Sequence, residues 1–337
     1  MSEAARVANT QTMTESAPLQ PHRRWLRRTL LILLGLLAAL GALVYLRPLW
    51  VLRETTRAWL RAEGVRNQDV KLGAYRIHYF VAGEGRPLVL VHGLGSRAED
   101  WAPLIPSLAR SGFRVYALDL LGYGRSSRPD VDYSIALETD ILRQFFDSQR
   151  LQQADLGGWS MGGWICLKFT LDHPERVRRL MVFDSAGLNF KPGFDTGLFS
   201  SRTPQEVARF MAVLTPHPPH LPDFVARDLI REMGKESWVV SRSLTAMQGG
   251  ADLLDGKLGR VQAPVLIVWG NEDSVVPFWC GEEMHREMPQ SILAVLDGCG
   301  HLAPVECRRR VLPEAQRFLE ADPPLPAGRQ EFPASQH

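Results

Sequence analysis

Six short apolar runs, spaced by segments of helix length, constrain the fold of this 337-residue chain more than any other feature. They fall at residues 87–91, 114–118, 154–156, 180–183, 265–269 and 292–296, and most are dominated by Val, Leu and Ile without polar alternation. Strands covered on one face alternate, whereas strands covered on both faces read as continuous runs. Between most of these runs lie stretches of helical texture, at 100–111, 134–149, 161–173 and 277–288. Strand and helix in alternation predict an α/β fold with a doubly wound, mostly parallel sheet, its body covering 70–186 and 261–320. The rhythm breaks once, where about eighty residues between Phe183 and Val265 carry Phe190, Phe194, Phe199, Phe210, Met211, Leu214, Trp238 and Met247. A structureless loop that long is rare inside a compact domain, so residues 187–260 are expected to form a helical cap or lid over the sheet edge.

The first 22 residues are polar and aperiodic, and a disordered cytoplasmic tail is expected there. Residues 23–50 read as a transmembrane anchor with a basic flank: Arg23, Arg24, Arg27 and Arg28 precede eighteen residues, 29–46, without a charge. As a helix rising 1.5 Å per residue, that run spans roughly 27 Å, close to the hydrocarbon thickness of a bilayer. Trp25, Tyr45 and Trp50 bracket it as interfacial aromatics do. A cleaved signal peptide is the competing reading, with Ala39-Leu40-Gly41 the nearest small-residue pattern and a mature start near Ala42. The leading arginines favour a single-pass protein whose folded body lies on the non-cytoplasmic side, periplasmic or extracellular. Arg47, Arg53, Arg57 and Arg61 behind the run blunt that asymmetry. Leu49, Leu52, Thr56 and Trp59 recur at helical spacing, so residues 51–66 are expected to form a juxtamembrane amphipathic helix, on the membrane surface or packed on the folded body. A chain starting near Val65 is expected to keep every chemical block and lose the membrane. The Pro-rich stretch 321–337 is read as a disordered tail.

Residues 1–66 hold ten arginines against four acidic residues, and the rest of the chain 29 basic against 33 acidic. No broad cationic face follows, and nucleic acid is not an expected partner. Four cysteines, Cys166, Cys280, Cys299 and Cys307, are too few for a disulfide scaffold and form no CxxC pair. They read as buried free thiols, with a Cys299–Cys307 bridge left open. No metal, cofactor or obligate protein partner is expected.

Gly158-Trp159-Ser160-Met161-Gly162, then Gly163, follows an apolar stretch ending at Leu156 and precedes a helical segment. A serine on a sharp strand-to-helix turn needs neighbours without bulk, because its backbone is strained and the helix passes close to the strand. The turn also sets the Met161 amide at a helix N-terminus, where it can donate to a developing oxyanion. His92-Gly93-Leu94-Gly95 follows the first run, and the Leu94 amide is the candidate second donor. His92 is read as a brace for that loop. The base and its orienting acid are expected at later strand ends, in Gly270-Asn271-Glu272-Asp273 and Gly298-Cys299-Gly300-His301. The order Ser160, Asp273, His301 is then nucleophile, acid, base. Glu272 is set aside because Asp273 leads straight into the turn Ser274-Val275-Val276-Pro277, and Asp184, after the 180–183 run, stands as the rival acid. Asp119, with Gly122-Tyr123-Gly124-Arg125-Ser126, reads as shaping a loop.

With these blocks in this order, the segment from about Tyr75 to Leu319 resembles the α/β-hydrolase superfamily, in particular its bacterial lipase/esterase and meta-cleavage-hydrolase branch. The resemblance implies Ser160 as nucleophile, His301 as base, Asp273 as acid, and the Leu94 and Met161 amides as oxyanion donors. One N-terminal anchor before such a domain is similar to the membrane-bound monoacylglycerol lipases of that superfamily. Trp159 departs from the His, Asn or Gln often found beside the nucleophile. Ser160 argues against the dehalogenases and epoxide hydrolases of this fold, which use Asp. The expected activity is serine-hydrolase cleavage of carboxylic esters, small and apolar or lipid-derived, through an acyl-enzyme. A meta-cleavage C–C hydrolase, a cofactor-free perhydrolase and a non-catalytic ligand-binding protein on the same fold are the alternatives.

Overall fold

The computed structural model describes residues 21–334, which divide after Leu46 into two units. The first is one helix, α1 (Pro21–Leu46). From Trp25 to Leu46 its 22 residues bury no side chain and are long and apolar enough to cross a bilayer, a test that a signal sequence also passes. The expected tail lies outside the described residues, apart from Pro21 and His22, which already belong to α1.

The second unit opens with α2 (Pro48–Ala62), which carries Pro at its start, where the missing N–H has no intrahelical partner to lose. The helix expected over 51–66 therefore begins earlier and stops short of Arg66, the first residue of a strand. It packs on the folded body. Leu60 is fully buried, the Leu49 amide donates to Asp228 (2.9 Å), Arg53 pairs with Glu232 (2.6 Å), and Arg57 pairs with the buried Glu99.

A hairpin of β1 (Arg66–Leu72) and β2 (Tyr75–Ala82) follows, then β3 (Arg86–Val91), α3 (Ile105–Arg110), β4 (Phe113–Leu118), α4 (Ile135–Ser148), β5 (Ala154–Trp159), α5 (Met161–Asp172) and β6 (Val177–Phe183). The insertion between β6 and the next strand is helical, as expected, and contains α6 (Pro204–Leu214) and α7 (Asp223–Gln248). The chain closes with β7 (Val265–Gly270), α8 (Phe278–Glu287), β8 (Ile292–Leu296), the single turn α9 (Ala303–Glu306), α10 (Arg308–Glu320) and β9 (Gly328–Phe332). The nine strands of the described residues form one sheet in the order β1-β2-β4-β3-β5-β6-β7-β8-β9. Only the β1/β2 and β2/β4 pairs are antiparallel. β3 sends Val89 and Val91 into one hydrophobic cluster and Leu88 and Leu90 into another, so the sheet is covered on both faces, which is why its strands read as unbroken apolar runs.

Two sequence expectations are corrected. The tail expected to be disordered contains β9, paired in parallel with β8 from Ile292↔Gly328 to Leu296↔Phe332. Cys299 and Cys307 are joined in a disulfide, their Cα atoms 6.4 Å apart, leaving Cys166 and Cys280 as the buried free thiols.

Candidate active site

β5 ends at Trp159 and α5 begins at Met161, so Ser160 makes the whole turn, with φ 56° and ψ −120°. A left-handed backbone costs a non-glycine residue about 1–3 kcal/mol and persists only where its surroundings over-determine it. Here the Ser160 amide donates to Phe183 O (2.9 Å), while its carbonyl accepts from Gly163 N (2.9 Å) and Ala186 N (3.1 Å). A Cβ at Gly158 would strike the Gly162 carbonyl, and one at Gly162 the carbonyls of Val91 and His92. Glycine at both places is thus required by close backbone approach.

The structure brings Ser160, His301 and Asp273 into one hydrogen-bonded line. His301 Nε2 lies 2.9 Å from Ser160 Oγ, and Nδ1 lies 2.8 Å from Asp273 Oδ2. Asp273 Oδ1 accepts from the Val275 and Val276 amides (2.7 and 3.0 Å), so the turn after β7 fixes the carboxylate with its other oxygen toward the imidazole. Asp184 sits elsewhere in the same cluster. Its Oδ1 accepts from Gly270 N (2.9 Å), and burial, with the charge of Asp273 beside it, pushes its carboxyl well above the ordinary range. Leu94 follows Gly93, which lies against Ser160, and Met161 is the first residue of α5, whose first-turn amides lack intrahelical acceptors.

His92 braces its loop. Its Nε2 must accept from the Leu120 amide (3.0 Å), which makes Nδ1 the protonated nitrogen donating to Gly93 O (2.8 Å), and burial lowers its pKa. Asp119 accepts from Ala98 N (2.7 Å) and Arg125 N (2.8 Å) and faces His78 Nδ1 (2.8 Å). Burial works to raise its pKa, yet the His78 hydrogen bond and the neighbouring imidazoles hold it below the ordinary value.

Three residues that sequence reasoning did not place also hold the histidine. The Trp159 indole donates to His301 O (2.8 Å), and Leu214, the last residue of α6, accepts from His301 N (2.9 Å). Glu306 accepts from Gly300 N (2.7 Å) and from the Thr215 hydroxyl. The departure at Trp159 was visible in the sequence, but the partner of its indole was not.

Two cavities meet at Ser160 and Leu94. One, of about 370 Å³, is walled largely by apolar side chains from the insertion and the strand ends, among them Leu188, Phe190, Phe194, Leu244 and Met247. The other, of about 210 Å³, reaches past His301 and Met233 to Asp100 and Glu236. Phe199 borders both, and its ring packs against Phe194 (6.0 Å) and Phe210 (5.0 Å).

The model of the alpha/beta hydrolase family matches residues 88–314, from β3 into α10. The chain belongs to that family. Among relatives of this hydrolase is a 2-hydroxymuconate semialdehyde hydrolase of Pseudomonas sp. (strain CF600), 30% identical over 273 residues, covering 76% of this chain and 94% of the relative. Among solved structures, a membrane phospholipase A described as a bacterial virulence factor superposes with a TM-score of 0.74 at 26% identity, covering 87% of this hydrolase and 98% of that chain. A meta-cleavage product hydrolase from Pseudomonas fluorescens IP01 shares the fold, with a TM-score of 0.68 at 24% identity, over 75% of this chain and 97% of its own.

Proposed function

We propose that this hydrolase cleaves carboxylic esters with an apolar acyl group, from a position anchored in a membrane by α1. The observation that carries the reading is the apolar cavity of about 370 Å³ opening at Ser160. Its one basic lining residue, Lys191, is solvent-exposed, and the second cavity adds Asp100 and Glu236 and no Lys or Arg, its one imidazole being His301 itself. A neutral acyl chain loses nothing on entering such a space, whereas a substrate carboxylate there would be desolvated without a counter-charge. In the proposed reaction His301 Nε2 takes the Ser160 proton as Oγ attacks the ester carbonyl. The oxyanion is held by the Leu94 and Met161 amides, and Asp273 stabilises the imidazolium. His301 then gives the proton to the departing alcohol, and a water deprotonated by His301 releases the acid from Ser160.

A second reading, C–C cleavage of meta-cleavage products, is favoured by the 30% identity to the 2-hydroxymuconate semialdehyde hydrolase. The two part on substrate charge. The length and composition of α1 support the anchor, and the Cys299–Cys307 bond supports a folded body in an oxidising compartment, on the non-cytoplasmic side. The test is a panel of p-nitrophenyl esters, monoacylglycerols and a dienoate meta-cleavage product, run on wild type and on Ser160→Ala with a fluorophosphonate probe. Ester turnover and probe labelling, both lost in Ser160→Ala, are expected. Turnover of the dienoate alone overturns the ester reading in favour of the second, and ester turnover that survives Ser160→Ala overturns the mechanism.

A further inference from the structure

The histidine of the candidate triad sits inside a small covalent ring. Cys299 lies two residues before His301, Cys307 six residues after it, and the bond between them closes the segment that carries the imidazole, including α9. The ring is pinned to its surroundings by groups already described, namely Leu214 O, the Trp159 indole and Glu306 on Thr215. Cys299 is fully buried and Cys307 is 8% exposed, so any approach to the bond is from the Cys307 side. Cys307 borders a cavity of about 840 Å³, together with His217, Arg308 and Arg309. From the first turn of α10, the Arg310 guanidinium donates to Cys299 Sγ (2.7 Å) and Cys307 Sγ (3.1 Å), and also to the carbonyls of Asp297 (2.8 Å) and Phe332 (2.9 Å), which fix it in place.

We propose that the Cys299–Cys307 bond is a thiol-exchange site that positions His301, open to reduction by an external dithiol through the cavity beside Cys307. This rests on the reading of Ser160 and His301 as the reacting pair. One thiolate of the dithiol attacks Cys307 Sγ from the cavity that Cys307 borders, where Arg308 and Arg309 attract an anion. The S–S bond breaks and its electron pair leaves on Cys299 Sγ, beside Arg310, because a neighbouring guanidinium favours thiolate and so speeds departure. The second thiol of the reagent displaces Cys307, giving two protein thiols and a cyclic reagent disulfide, so that two electrons pass from reagent to protein. What is lost is a constraint on the histidine. Cys299 and Cys307 are then joined only through the chain between them and the Gly300–Glu306 hydrogen bond, and a displacement of about 1 Å at a reacting group can cost on the order of 100-fold in rate.

The experiment treats the folded protein with dithiothreitol and follows three quantities. These are the thiols open to iodoacetamide by mass, the rate at which fluorophosphonate labels Ser160, and kcat and KM on the best ester. Expected are two newly alkylated cysteines, Cys299 and Cys307, with labelling rate and kcat down at least tenfold, KM within twofold, and both rates restored by diamide. A Cys299→Ser/Cys307→Ser protein is expected to hold the slow rate and ignore either reagent. A purely structural bond would lower the melting temperature and leave labelling at 25 °C unchanged, which overturns the proposal. Cysteines that open only on unfolding overturn it equally. Oxidised protein whose Ser160 does not label fails earlier, at the serine-hydrolase reading, and this proposal falls with it.

Discussion

Asp273 and Asp184 are neighbouring buried carboxyls to which the proposed mechanism gives different roles, and changing each to asparagine separates them. Asp273→Asn leaves His301 Nδ1 facing an amide, which upsets its tautomer and removes the charge that stabilises the imidazolium. A loss of about 10³–10⁴ in kcat is expected. Asp184→Asn keeps an oxygen for the Gly270 amide, and a change within about threefold is expected, because its carboxyl holds the end of β7 and touches no proton of the reaction. Steady-state kinetics on both variants check this, and reversed costs would transfer the acid role to Asp184. Glu138, in the first turn of α4, makes a different prediction. It is buried, one oxygen accepts from the Leu121 amide (3.2 Å), the other finds no partner among the described residues, and burial pushes its pKa up to about 8. The folded state holds that proton after the unfolded chain, titrating near 4.5, has released it. The stability contributed is complete below about pH 4.5 and is lost as pH rises toward 8, at up to about 1.4 kcal/mol per pH unit. Melting curves between pH 5 and 8 are expected to flatten in Glu138→Gln, and equal slopes in the two proteins would show that the carboxyl is already ionised.

At the scale of elements, α2 belongs to the folded body. Removing it exposes the surface under Leu60, takes the Arg57 charge from the buried Glu99 and the Arg53 charge from Glu232, and leaves Asp228 without the Leu49 amide, though Arg231 and Lys235 still pair with Asp228 and Glu232. The start near Val65 that the sequence suggested is therefore misplaced, and Arg47 is the physical boundary. Burying one leucine is worth about 2 kcal/mol. A chain beginning at Val65 is expected to melt roughly 4–8 °C below one beginning at Arg47, and equal melting temperatures would mean that α2 is only a tether. Two of the three strands hidden from sequence reading share a cause. β1 is largely exposed and reads Arg-Asn-Gln-Asp-Val-Lys-Leu, while β9 reads Gly-Arg-Gln-Glu-Phe. Each lies at a sheet edge, where one row of backbone groups pairs and apolar content is not demanded. β3 to β8, covered on both faces, announced themselves, whereas β2, with Arg76 and His78 among its apolar residues, did not. The disulfide was not legible because eight residues of separation do not say whether two Cβ atoms converge. Here a one-turn helix, α9, brings them together.

For the whole molecule, the prediction is a partition. Full-length protein is expected to sediment with membranes and resist a carbonate wash, while the chain from Arg47 stays in solution and still labels with fluorophosphonate. Added protease is expected to reach the folded body before the inner membrane is lysed. Digestion only after lysis reverses the topology, and a mature N-terminus near Ala42 replaces the anchor with a processed leader. Neither outcome touches the chemistry, because Ser160, Asp273 and His301 all lie in the unit that begins at Arg47. Within that unit, change is permitted unevenly. Around Ser160 the backbone strands approach so closely that Gly158 and Gly162 admit no other side chain. The walls of the apolar cavity, Phe190, Phe194, Leu244 and Met247, come instead from the insertion, where the backbone makes no such demand. Heritable variation can therefore redraw which substrates this scaffold accepts while its reactive centre stays still. A library confined to those four positions would explore new substrates without putting the serine at risk.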